Sequence, residues 1–136
     1  VSTIDDALIA RAAAFAGLTG LIGIQPNMRL YPVDAVTQNA DRPYATYQLI
    51  SGPPEHAMGS DPGMVRARFQ FSCWGDTSTD ARSVGDQVRA GYRRFRGTLL
   101  GVEILDVFVD NERDLGREPD TRLYHRVVDL IVWYRE

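Results

Sequence analysis

RARFQFSCWGDTSTDARSVGDQV, from Arg66 to Val88, is the stretch on which the reading of the whole chain turns. Its first half alternates: Val65, Ala67, Phe69, Phe71 and Cys73 share one side, and Arg66, Arg68, Gln70 and Ser72 the other. Period-two alternation predicts a strand over Met64 to Trp74 with one buried face and one solvated or interfacial face. Then the period changes. Thr77 and Asp80 supply a capping oxygen and a first-turn acid, and Ala81, Val84, Val88, Tyr92 and Phe95 follow at helical spacing. Gly97 is placed to end that helix in a left-handed conformation. Cys73 sits at the junction, either as a nucleophile awaiting a histidine or as the last buried residue of a strand.

Outward from this unit, Ser2 and Asp5 fit a helix N-terminus, and Ile4, Ala7, Leu8, Ala12 and Phe15 recur at helical spacing. Gly17, Gly20 and Gly23 predict an end to that helix near Ala16, and Gln25 to Arg42 reads as an irregular connector. PYATYQLIS (Pro43 to Ser51) is a strand by its aromatic and β-branched content, and GPPEHAMGSDPG (Gly52 to Gly63) is a projecting loop. LLGVEILDVFV (Leu99 to Val109) and LYHRVVDLIVWYR (Leu123 to Arg135) are strands joined by the charged DNERDLGREPDT. The expected class is α+β in the order α-β-β-α-β-β. Four main strands form a mostly antiparallel or mixed sheet with two helices on one face, as a single domain over residues 1–136.

The bulk properties narrow the function. A length of 136 residues with 44% apolar and 24% charged content suits one globular core. A net charge of −3 argues against general affinity for nucleic acid or anionic membrane. Every basic residue is arginine, which suits protein interfaces through its forked contacts. A single cysteine excludes an internal disulfide and a cysteine-based zinc site. No apolar run reaches the roughly 20 residues of a membrane span. VSTIDDALIARAAAF carries early acids and no basic leader, so the expected place of manufacture is the cell interior.

The candidates for chemistry weigh toward structure. Cys73 falls in register with Phe69 and Phe71, and a free cysteine on a buried face behaves as a small hydrophobe. A thiol hydrolase would need a base, and only His56 and His125 could supply one, neither with a supporting motif. Asp110, Glu112, Asp114, Glu118 and Asp120 are interleaved with Arg113, Arg117 and Arg122, as in a solvated hairpin tip rather than a paired-carboxylate site. Two histidines and scattered acids give no metal-ligand spacing, and GLTGLIG lacks the lysine of a phosphate loop. The expectation is no enzyme, no cofactor and no metal.

Two other features exceed the background. The last strand is apolar on both faces: Val127, Ile131 and Trp133 on one, Val128, Leu130, Val132 and Tyr134 on the other. Its outer face calls for cover from the connector or from another subunit. Charge is also segregated. Residues 82–96 hold five arginines and one acid, whereas residues 103–120 hold seven acids and two arginines. Within one chain these flanks can pair; on separate surfaces they favour head-to-tail contact that closes into a ring.

The element order and several strings resemble the tail terminator, or tail completion, proteins of long-tailed bacteriophages and gene transfer agents. The strings are the alanine-rich first helix, RLYPVDAVTQNADRPYATYQLISG, RARFQFSCWGDTSTDARSVGDQVRAGYRRFRG and ERDLGREPDTRLYHRVVDLIVWYRE, which together span almost the whole chain. The resemblance implies a structural virion protein, assembled in the bacterial host cytoplasm and resident at the head–tail junction. It would cap the finished tail tube as a six-membered ring, facing the tail tube protein and the head connector or adaptor, with no cofactor and no membrane. A domain of this length has a diameter of about 36 Å, so six in a ring leave a hole of about one body's width. DNA would pass through it without specific binding, because acidic walls offer few phosphate contacts.

Under that resemblance, Arg89, Arg93 and Arg96 of one subunit are expected to meet Glu112, Asp114 and Glu118 of the next. The loop residues Pro53, Pro54, Glu55, His56, Met58 and Asp61 are expected to dock on the tube or connector. The rival readings are a head-side connector, adaptor or stopper ring, a thiol hydrolase using Cys73, and a generic protein-binding module.

Overall fold

In a computed structural model of the chain, the alternating segment is the third strand of a six-stranded sheet. The structure describes residues 3–24, 28–33, 41–51, 64–120 and 122–135. In chain order the elements are α1 (Ile4–Ala14), α2 (Ala16–Ile22), β1 (Leu30–Pro32), β2 (Tyr44–Ser51), β3 (Met64–Gly75), α3 (Ser78–Tyr92), β4 (Gly97–Leu99), β5 (Val102–Arg117) and β6 (Tyr124–Arg135). The strand order is β1-β2-β3-β6-β5-β4, with β1 parallel to β2 and every other neighbour antiparallel.

The class is α+β, as expected, but the described residues form three helices and six strands rather than two and four. Each addition has a local cause. The first helix stops at Ala14, and α2 then runs through Gly17 and Gly20 before ending at Gly23. Gly17 is kept for closeness rather than for a break: a Cβ there would run into the Gln87 side chain of α3 and the Phe15 ring. The capping box of α1 lies one residue later than Ser2 and Asp5 suggest. The Thr3 hydroxyl accepts from Asp6 N at 3.3 Å, and the Asp6 carboxylate accepts from Thr3 N at 3.1 Å. Within the expected connector, Leu30–Pro32 adds to the edge of β2.

The helix after β3 begins as expected, with the Thr77 hydroxyl accepting from Asp80 N at 3.1 Å, but it ends earlier. Tyr92 is its last residue, and Arg94, not Gly97, takes the left-handed conformation, with φ of 59°. Gly97 instead opens β4, which turns through Leu100 and Gly101, both at positive φ, into β5.

The largest difference is the charged segment. Residues expected at a hairpin tip continue as strand β5 to Arg117, still paired with β6 down to Arg117 opposite Tyr124. Their charges alternate with the pleat, so acids on one side meet arginines of α3 and β6 while Arg113 on the other meets Asp129.

The core lies between the sheet and the helices. Phe69, Phe71, Cys73, Val128, Leu130 and Val132 face Leu8, Leu18, Val84, Val88 and Tyr92, all buried. Each large side chain so buried contributes about 1.5–3 kcal/mol. The opposite face is also closed over its centre: Val127 and Ile131 are buried, the Arg66 guanidinium lies 5.8 Å from the Trp133 ring centre, and Arg68 and Arg113 both reach buried Asp129.

Candidate functional site

Cys73 lies on the helix-facing side of β3, opposite Ala45 on one neighbour and Arg126 on the other, fully buried. Burial pushes its thiol up to about 12, with Arg126 opposing only in part. His125 pairs in register with Trp74, so alternation puts its ring on the other face of the sheet from the sulfur. That ring stacks on Trp74 with centroids 3.8 Å apart, and burial holds its pKa down at about 4. A sheet therefore separates this thiol from this base. His56 lies outside the described residues. The native chain is expected to resist thiol-specific reagents at pH 8, and denaturant is expected to expose one reactive thiol. Rapid stoichiometric labelling of native protein would contradict this burial.

Among the described residues, no three of His, Cys, Asp and Glu come together as a metal-binding group. The sequence-selected charges do converge, along the flank between α3 and β5, and most of them meet within one chain. Arg89 donates to Glu112 at 3.0 Å and approaches Asp86 at 3.5 Å. Asp114 accepts from Arg126 at 2.8 Å and from Arg82 at 3.0 Å, and the Arg126 bond holds its carboxyl below the usual range. Arg96 and Arg94 share Asp106. Within the single chain, Arg89, Arg96, Glu112 and Asp114 thus each have an intramolecular partner. The reason is register: β5 runs on as a strand beside α3 and carries its acids to the helix's arginines. Arg93 and Glu118 enter no ion pair among the described residues. Pro53, Pro54, Glu55, Met58 and Asp61, the other residues of the expected docking loop, also lie outside the described residues.

Beside this flank lies an open groove of about 510 Å³, lined by Arg89, Arg93, Arg94, Phe108, Val109 and Glu112. The Arg94 guanidinium sits 5.0 Å from the Phe108 ring centre. Sequence reading misses Phe108 because it lies within an apolar run that suggests a buried strand. It also misses Leu49 and Ile50, which close a strand-like string yet are about half exposed, at 49% and 46%. The signal for both is position near the end or edge of a sheet, which a linear pattern does not carry. Across the far end of the outer face runs a row of rings, Tyr31, Tyr44, Trp74 and His125, one from each of four adjacent strands.

Three comparisons bear on this arrangement. No curated protein matches the chain. A chain from the virion of a native gene transfer agent particle shares the fold. The TM-score is 0.67 at 16% identity, with 96% of this chain and 92% of that one covered. The family described as Tail completion protein gp17 matches residues 6–135. That match takes in every element from α1 to β6, and the chain belongs to this family of structural proteins of the virion tail.

Proposed function

We propose that the chain closes the completed tail tube as a ring and forms the tail side of the head–tail junction. The observation that carries this reading is the family match over residues 6–135, which takes in nearly the whole chain. A buried thiol cut off from His125 by the sheet fits a structural rather than a catalytic role. The tube protein lies on one side of such a ring and the head connector on the other. The acid surplus of the chain suits a lumen through which DNA slides without specific binding. Arg93 and Glu118 are the charges left for a neighbouring subunit, and the segment 52–63 is the proposed contact with the tube or connector.

The test is electron microscopy of tails assembled with and without the chain. Without it, tubes are expected to be over-long or uncapped, and added protein is expected to co-sediment with tubes and not with DNA-filled heads. Tubes of normal length in its absence would overturn the reading, and binding to filled heads alone would transfer it to a head-side adaptor or stopper.

A further inference from the structure

We propose that copies of this chain join edge to edge, with the Leu49–Ile50 end of β2 on one copy seated in the Phe108 groove at the β5 edge of the next. The inference rests on the ring reading above and names the surface that builds the ring.

Its first support is where exposed apolar residues fall. Single exposed apolar side chains are ordinary, but a segregated set marks contact. Among the described residues the large ones are Ile24, Val33, Leu49, Ile50, Leu100, Phe108 and Leu115. Val33, Leu49 and Ile50 belong to the β1–β2 edge, and Leu100, Phe108 and Leu115 to the β4–β5 edge. None lies on β3, β6 or α3. Two unlike apolar patches on opposite edges of one sheet are what a head-to-tail contact needs, whereas a two-fold contact needs only one patch.

Both edges are also open at these places. The β1–β2 ladder ends at Pro32 opposite Tyr47, with Val33 N donating to Tyr47 O just beyond. Gln48 to Ile50 therefore have no described strand neighbour on that side. On the other edge, β4 pairs only with Val102 to Ile104, and Arg94 N caps Val107 O. Phe108 and the residues after it have no described strand neighbour outside. Register breaks between Leu49 and Ser51, and between Val109 and Asn111, interrupt a regular ladder at both edges. The contact is accordingly side-chain packing into the groove rather than a continued sheet.

The two patches lie at the same level of the sheet. Leu49 pairs with Phe69, Phe69 with Leu130 and Leu130 with Val109. In the adjoining row Ser51 pairs with Arg68, Arg68 with Ile131 and Ile131 with Phe108. A contact joining patches at one level turns each copy with little translation along the strands, which favours closure over a filament. Charge does not oppose it. The groove is rimmed by Arg89, Arg93 and Arg94, and Arg68, in register with Ser51 beside the β2 patch, is paired with Asp110 and Asp129 of its own chain.

The experiment uses the full chain, wild type and two single variants, Ile50→Arg and Phe108→Arg, whose like charges also keep the two disabled edges apart. Folding is checked by circular dichroism and thermal melting, and assembly by sedimentation. Each variant alone is expected to melt like wild type and remain monomeric where wild type forms rings. A one-to-one mixture is expected to form dimers and nothing larger, because only one good edge of each kind survives. If either variant assembles like wild type, if the mixture stays monomeric, or if wild type itself never self-associates, the edge contact is wrong. Should a variant fail to fold, Leu49→Arg or Phe108→Ser takes its place with the same expected outcomes. The tail experiment is independent. Normal tails without the protein, together with the dimer result, would sink the functional reading and leave the contact standing; tail capping by both variants would do the reverse.

Discussion

Replacing Tyr92 by Ala is expected to lower the unfolding free energy by about 3–5 kcal/mol, and replacing it by Phe by about 1–2 kcal/mol. Tyr92 ends α3 fully buried, with its ring 5.1 Å from Phe71 across the helix–sheet interface. Its hydroxyl donates to the Leu8 carbonyl of α1 at 2.5 Å, across 84 residues of sequence. The Ala variant removes ring packing and the hydrogen bond together, leaving a cavity where α1, α3 and the sheet meet. The Phe variant keeps the ring and isolates the bond. Typical domains have only about 5–15 kcal/mol in total, so the Ala variant stands near the limit of folding. Urea titration at a concentration where the chain is monomeric reads both numbers. Equal losses for the two variants would show that the hydroxyl alone, rather than the ring, ties α3 to α1.

Acid is expected to destabilise the chain well before carboxylates titrate, through His125. Burial against Trp74, with Arg113 nearby, lowers its pKa from 6.5 to about 4. Among the described residues its buried Nε2 has no hydrogen-bond partner, so an imidazolium proton there would be left unpaired. The folded state therefore holds the neutral ring, while the unfolded chain takes up a proton as pH falls below 6.5. This contribution is complete above pH 6.5 and is lost as pH falls through about 4. The gap corresponds to about 3 kcal/mol, of which a half-open ring retains about 2 kcal/mol after solvent screening. Asp114 acts lower. Its folded pKa is depressed, chiefly by the Arg126 hydrogen bond, so its stabilisation is present above the ordinary carboxylate value and lost below it. Comparing urea unfolding at about pH 7 and about pH 4.5 separates the two groups. Wild type is expected to lose about 2 kcal/mol and His125→Phe almost none. An equal loss in both would assign the acid sensitivity elsewhere.

Much of the fold is legible in the sequence because alternation and helical spacing are local properties. β3 is readable residue by residue, since each Cβ direction follows from the one before it, and the Thr77 cap is readable from two side chains three apart. The same alternation puts Cys73 inside the protein, where the structure has it fully buried. The resemblance to tail completion proteins rests on the order of such units, and order is also a property of the chain.

What the linear pattern could not decide is which polar residues find partners and which apolar residues do not. DNERDLGREPDT reads as a solvated tip, yet β6 extends far enough to hold most of it as strand, and α3 lies beside it with arginines at matching heights. Glu112 and Asp114 are therefore engaged within the chain. Leu49 and Phe108 lie in strings that read as strands, and they are exposed because β1 and β4 are only three residues long. Whether an apolar strand residue is buried depends on its neighbours in the sheet as well as on its own alternation. Sequence by itself thus determined the α+β class, the buried thiol and the family. Only the tertiary structure decided the six-strand order and the two open edges, because the two runs of consecutive strands meet through β3 and β6, which lie far apart in the chain, and no local spacing records that pairing.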